Sequence, residues 1–181
     1  VAGGAGYLAL QLCKQGIPVT IVDPRPQRPF NRSERKWAAK RDTPLPNHIV
    51  SFFDDEFLAN PLHAPLLQSV SLVIAMHADS ATEPAVRWAR SAGKPVIAVP
   101  CCVFPSLFPE RRFADGRSVV SRSEFIEYLC QKYLLEKEKI GVFTGANVAC
   151  YSTGSASGGN TVSTFLTTTT TTPAPAAATS L

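Results

Sequence analysis

Short apolar runs alternate along the chain with stretches in which apolar residues recur at helical spacing. The first run ends at Val1-Ala2, and Gly3, Gly4 and Gly6 follow as a tight turn. Leu8, Ala9, Leu12 and Cys13 share one helical face, and Gly16 ends that helix. Residues 17–22 read as a strand closed by Asp23-Pro24. Residues 24–46, rich in Pro and Arg, read as a long loop with a short helix around 34–40. Further strands are predicted at 48–53, 71–76 and 95–99, with a short helix at 62–68. Ser80-Ala81-Thr82-Glu83 matches a capping box opening a helix to about residue 92, which Gly93 stops. Ser121-Arg122-Ser123-Glu124 matches a second, with Phe125, Ile126, Leu129, Cys130, Tyr133 and Leu134 at helical spacing behind it. A closing hairpin is predicted from 140–143 and 147–151, around Thr144-Gly145-Ala146.

Near-continuous apolar strands between amphipathic helices require a sheet covered on both faces. The expected fold is α/β: a Rossmann-like, doubly wound, mostly parallel sheet with a C-terminal antiparallel strand. Only Val1 and Ala2 precede the glycines, so the first strand is expected to be truncated. With no initiator Met, the sequence reads as a fragment.

Charge divides the chain into two parts. From Ser152 to Leu181 there is no charged residue, and Thr167 to Thr172 is an unbroken threonine run. Residues 1–151 are therefore expected to form the domain. Residues 152–181 are expected to be a disordered low-complexity tail, with too little apolar surface to order itself. The overall 45% hydrophobic and 18% charged content excludes a wholly disordered or collagen-like chain. No apolar run approaches the length of a membrane span, and no secretory signal precedes the first motif. Five cysteines, an odd number without framework spacing, point to free thiols and a cytoplasmic, reducing setting.

The net charge of +4 is concentrated in one segment holding Arg25, Arg28, Arg32, Arg35, Lys36, Lys40 and Arg41. Such a segment serves either as a phosphate- or nucleic-acid-facing loop or as a solvated one. The glycines remove side chains where backbone must approach a ligand. Asp23, 20 residues after Gly3, stands at the tip of the next strand, positioned to accept from ribose hydroxyls. Gly4-Ala5-Gly6-Tyr7-Leu8-Ala9 also fits the G-x-G-x-x-A pattern of NAD and FAD enzymes, which places pyrophosphate on the helix N-terminus.

Downstream segments narrow the choice. The stretch from Val1-Ala2-Gly3-Gly4-Ala5-Gly6 to Asp23-Pro24-Arg25 resembles the glycine motif and acidic motif of class I S-adenosylmethionine-dependent methyltransferases. Met76-His77-Ala78-Asp79-Ser80-Ala81-Thr82, paired with Val99-Pro100-Cys101-Cys102, is similar to the L-H-A-C-G-x-A-T and P-C-C elements of one branch. That branch includes tRNA 2′-O-methyltransferases and the methyltransferase domain of glutathione-S-transferase C-terminal-domain proteins. Asp79 and Ser80 stand where it usually carries Cys and Gly.

The resemblance implies S-adenosyl-L-methionine as cofactor. Gly3, Gly4 and Gly6 would line its methionine part, Asp23 would hold its ribose, and Asp54 or Asp55 would meet the adenine. It also places catalytic groups at His77 and Asp79, with His77 a general base for a neutral acceptor. Cys101 and Cys102, at the next strand's end, would touch substrate or act as a nucleophile if a pKa were lowered. Arg25, Arg28 and Arg32 would face the acceptor if it is nucleic acid. The plainer readings stay open beside these: Asp54-Asp55-Glu56 as a helix start, Asp79 as a cap, the cysteines as packing residues. Three soft ligands, His77, Cys101 and Cys102, suggest zinc, but without C-x-x-C spacing no metal is expected. The competing functions are an NAD- or FAD-binding oxidoreductase fragment and a non-catalytic methyltransferase-fold binding module.

Overall fold

A computed structural model describes residues 1–26, 28, 30–141 and 144–154. The chain is a mixed α/β structure. Its elements in order are α1 (Tyr7–Lys14), β1 (Thr20–Asp23), α2 (Arg32–Lys40), β2 (Asn47–Val50), α3 (Asp55–Ala59), α4 (Ala64–Ser69), β3 (Val73–Met76), α5 (Thr82–Ser91), β4 (Val96–Val99), α6 (Arg122–Tyr133), β5 (Glu136–Lys139) and β6 (Val148–Ser152). Two sheets result. One pairs β1 with β2 in parallel; the other runs β3-β4-β6-β5, with β3 and β4 parallel and β6 antiparallel to both its neighbours.

Val1 and Ala2 lie between the two sheets and touch both. The Val1 nitrogen donates to the Ile74 carbonyl of β3 at 2.7 Å, and the Ala2 N–H donates to the Val22 carbonyl of β1 at 2.7 Å. The core follows from the apolar strand positions. Val73, Ala75, Val96, Ala98 and Cys150 are buried against Ala85, Val86 and Ala89 of α5 and Phe125 and Leu129 of α6. Small residues on the strands let α5 sit close to the sheet, so enlarging one meets a close-packed interior.

Three local expectations change. The capping box at Ser121 forms as expected, Ser121 Oγ accepting from the Glu124 N–H. The one at Ser80 does not. Asp79–Ala81 forms a 3-10 turn, α5 starts at Thr82 without a side-chain cap, and Glu83 turns into the structure instead. A capping box absent from the sequence reading forms at Asn31 and Glu34, opening α2 within the basic segment. In the closing hairpin, β6 pairs with Glu136–Lys139. That strand is exposed throughout and made of alternating charges, which suit a sheet edge but carry no apolar signal. Residues 142 and 143 of the expected strand lie outside the described residues, as does the expected tail from 155 onward. Before that point β6 runs through Ser152, whose Oγ accepts from Arg90 Nη1 at 2.6 Å.

Candidate functional site

The carboxyl ends of the parallel strands carry the chemistry-bearing residues. At the end of β1, Asp23 is fully buried, and its carboxylate is saturated with donors. Oδ2 accepts from the Gly4 N–H at 2.7 Å and Oδ1 from the Arg25 N–H at 2.9 Å. The Arg25 guanidinium adds Nε to Oδ1 and Nη2 to Oδ2, both at 3.1 Å. Burial alone would push this carboxyl up; the Arg25 side chain and the two backbone donors outweigh it and bring it down to about 2. Asp23 thus ties the glycine loop to the sheet.

The loop itself needs its glycines. A Cβ on Gly3 would stand 2.8 Å from Ile21 Cγ2, so a side chain there must push the Ile21 side chain aside. Gly6 caps α1 with φ of 77°, in the left-handed region that favours glycine. The Gly6 N–H donates to the Gly3 carbonyl at 3.0 Å.

The ends of β3 and β4 form a second cluster. Met76 pairs with Val99, so the chain leaves both strands at one level. His77 donates its N–H to the Val99 carbonyl at 3.1 Å. His77 and Asp79 both hold positive φ, 54° and 49°, on either side of buried Ala78. Backbone of this kind costs on the order of 1–3 kcal/mol per residue and concentrates at functional sites. Both side chains are exposed. Cys101 donates through Sγ to Asp79 Oδ1 at 3.3 Å. Burial, then its contacts with Cys102 and Asp79, push the Cys101 thiol up to about 12. At neutral pH this thiol is a proton donor to Asp79 rather than a nucleophile.

Other expected site residues are held elsewhere. Asp54 caps α3, accepting from the Phe57 N–H at 2.9 Å, and Asp55 pairs with Arg87 of α5. Asp54 is thus committed to a helix cap, while Asp55 stays exposed in its pair with Arg87. Arg28 forms a two-pronged pair with Glu34, at 2.9 and 2.7 Å, and lies over the Tyr7 ring. It folds the basic segment onto the start of α1. Arg32 is exposed in the first turn of α2.

The sequence reading missed a buried polar network behind the site. Glu83 accepts from Arg111 Nε at 2.6 Å, Tyr128 Oη at 2.9 Å, Tyr133 Oη at 2.8 Å and Lys132 Nζ at 3.0 Å. Arg111, almost wholly buried between the Phe108 and Phe125 rings, also donates to the Val103 carbonyl at 2.7 Å. It therefore fixes the loop that follows Cys102. An arginine in a proline-rich loop gave no pattern to find it by; Glu83 had a pattern, but for a different role.

A cavity of about 650 Å³ runs along β1 and β3, with Val1, Leu8, Ile21, Leu67, Ile74 and Trp88 among its walls and no charged side chain. It suits an apolar occupant, and Gly3, Val22 and Met76 in its wall bring it up to the glycine loop and the strand ends. All five cysteines are free, and no helix among the described residues is long and apolar enough to cross a membrane. Comparison of the chain with protein-family models, with curated proteins and with solved structures finds no match.

Proposed function

We propose that the chain is a Rossmann-like methyltransferase domain that binds S-adenosyl-L-methionine beside the glycine loop and Asp23. The carrying observation is the seat of Val1 and Ala2. Counted as the end of a strand between β1 and β3, they give the order β2, β1, Val1-Ala2, β3, β4, β6, β5. The first five members then follow the order of a doubly wound sheet, third, second, first, fourth, fifth, whose ligands sit outside the carboxyl ends at the switch point. The glycine loop, Asp23, His77, Asp79 and the cysteine pair all follow strands that end on that edge.

Electrostatics favour this donor over a dinucleotide. The Gly4 and Gly6 N–H groups are already committed to Asp23 and Gly3, so they are not free for a pyrophosphate. Asp23 and Arg25 offset each other as a pair, which leaves the exposed Asp79 carboxylate, hydrogen-bonded to Cys101, as the negative group of the rim. A cationic sulfonium ligand with an ammonium group suits such a rim; a pyrophosphate does not. Methyl transfer would then be a matter of in-line positioning, with exposed His77 available to take a proton from a neutral acceptor. Free thiols fit a reducing, cytoplasmic setting.

The test is differential stabilisation of the full chain by S-adenosylhomocysteine, NAD and FAD. At a ligand concentration 100 times Kd the stabilisation is about 2.7 kcal/mol. A shift with S-adenosylhomocysteine alone is expected. A shift with NAD or FAD instead overturns the proposal in favour of an oxidoreductase. Binding of the methionine derivative without transfer to RNA or any supplied acceptor favours a binding module.

A further inference from the structure

Asp79 leaves β3 and Cys101-Cys102 leaves β4 at the same level of the sheet, because these strands pair in parallel with Met76 opposite Val99. One carboxylate oxygen of Asp79 and the two sulfurs all lie within 4.8 Å of one another. Cys101 Sγ and Asp79 Oδ1 are 3.3 Å apart. A tetrahedral zinc ion, with Zn–S of about 2.3 Å and Zn–O of about 2.0 Å, holds sulfur and oxygen about 3.5 Å apart and two sulfurs about 3.8 Å apart. Cys101 and Asp79 therefore already stand near ligand spacing, with the Cys102 sulfur within 4.8 Å of both.

We propose that Asp79, Cys101 and Cys102 form a site for a divalent cation of the zinc class, its fourth position open to water. Two sulfurs select a borderline-soft ion over magnesium or calcium. Asp79 is exposed and the cysteines half-buried, which leaves a path for the ion and a side for the fourth ligand. The loops are held independently. The His77 N–H bonds the Val99 carbonyl, the Ala81 N–H bonds the Ala78 carbonyl at 2.9 Å, and Arg111 holds the Val103 carbonyl. Binding exchanges two thiol protons for the ion: two S–H bonds break, two Zn–S bonds form, and two protons pass to solvent. His77 lies outside the three-ligand set, and the site does not depend on what the glycine loop binds.

Cobalt(II) is the probe, added to the reduced, chelator-treated full chain. The expected result is a sulfur-to-cobalt charge-transfer band that saturates at one ion per chain and is displaced by zinc. It should vanish in Cys101→Ser/Cys102→Ser, and affinity should fall by about tenfold or more in Asp79→Asn. No thiolate band overturns the proposal, as does a band that survives the double substitution, because Cys130 or Cys150 would then hold the ion. Should the double variant fail to fold, the wild-type chain decides. Zinc must slow iodoacetamide modification of Cys101 and Cys102 below their own metal-free rates in peptide mass spectra, and unchanged rates sink the site.

Discussion

Arg25 lies over Asp23 as an exposed lid on a buried carboxylate: the arginine side chain is 70% exposed and that of the aspartate 0%. A ribose can reach this carboxylate only by displacing the guanidinium, because the other donors, Gly4 and Arg25 backbone N–H groups, belong to the loop itself. Asp23 is thus both the anchor of the glycine loop and the group that the proposed cofactor must compete for.

Two substitutions separate these roles. Asp23→Asn should weaken S-adenosylhomocysteine binding by roughly 1.5–3 kcal/mol, the range of a charge-assisted hydrogen bond. Arg25→Ala should leave affinity equal or higher, since it uncovers the carboxylate, and should lower stability, because the buried Asp23 carboxylate then keeps only its two backbone donors. Calorimetry on the full chain reads both. Unchanged affinity in Asp23→Asn makes the residue purely structural. The pH dependence has a definite sign: a carboxyl lowered from 3.8 to about 2 stabilises the fold above its unfolded value. That contribution fades as pH falls from about 4 towards 2, and Asp23→Asn should lack it.

Glu83 should be the costliest surface-distant substitution. Its removal leaves Arg111 buried without its carboxylate, and breaking such a pair costs about 3–5 kcal/mol. Glu83→Ala should therefore lower the urea midpoint and Tm strongly at pH 7. Burial pushes the Glu83 carboxyl up, but the donors, led by Lys132 and Tyr128, hold it below its usual value of 4.5. The stabilisation is present above that value and is lost as pH falls below it. The gap between wild type and Glu83→Gln should accordingly narrow in acid. A loss of under about 1 kcal/mol for Glu83→Ala would show that Arg111 finds other support.

The alternation of glycine loop, apolar strands and helices was legible because each rests on local periodicity or turn chemistry. Val73 to Met76 and Val96 to Val99 are apolar runs that bury Val73, Ala75, Val96 and Ala98, and Ser121 with Glu124 is a complete local signal. What escaped the sequence was long-range. Glu83 satisfies the capping pattern, yet four donors from distant positions offer a better partner than one helix terminus. Glu136–Lys139 joins the sheet only because β6 supplies its hydrogen bonds. In the candidate site, residue types and strand ends were readable. The partners were not: nothing local shows that Asp79 meets Cys101, or that Arg25 folds back onto Asp23.

Cys101 should react slowly. With its thiol pushed up to about 12, almost none is thiolate at neutral pH. In the metal-free chain, iodoacetamide should modify it more slowly than an unperturbed cysteine. Asp79→Asn should speed the reaction, because it removes a negative charge that opposes the thiolate. Peptide-level rates from mass spectrometry measure this. Fast alkylation of Cys101 in the wild-type chain would restore it as a candidate nucleophile.

His77 is where the catalytic and structural readings diverge most. Its N–H binds the Val99 carbonyl and its backbone is left-handed, so β3 hands the chain over to the next loop at this residue. The side chain is exposed on the edge where β3 and β4 end, next to Ala78 and the Asp79–Cys101 contact. An exposed imidazole contributes little packing, so His77→Ala should leave the fold and S-adenosylhomocysteine affinity nearly unchanged. If it takes a proton from the acceptor, turnover should fall by about 10²–10⁴-fold. The loss should grow at pH values where the acceptor stays protonated and shrink as hydroxide takes over the proton. His77→Gln, which keeps a hydrogen-bonding side chain but no usable base, should behave like the alanine variant. Full activity in His77→Gln with a loss in His77→Ala would instead make the residue a positioning donor. Equal losses of stability and binding in both would show that its role is to hold the turn after β3.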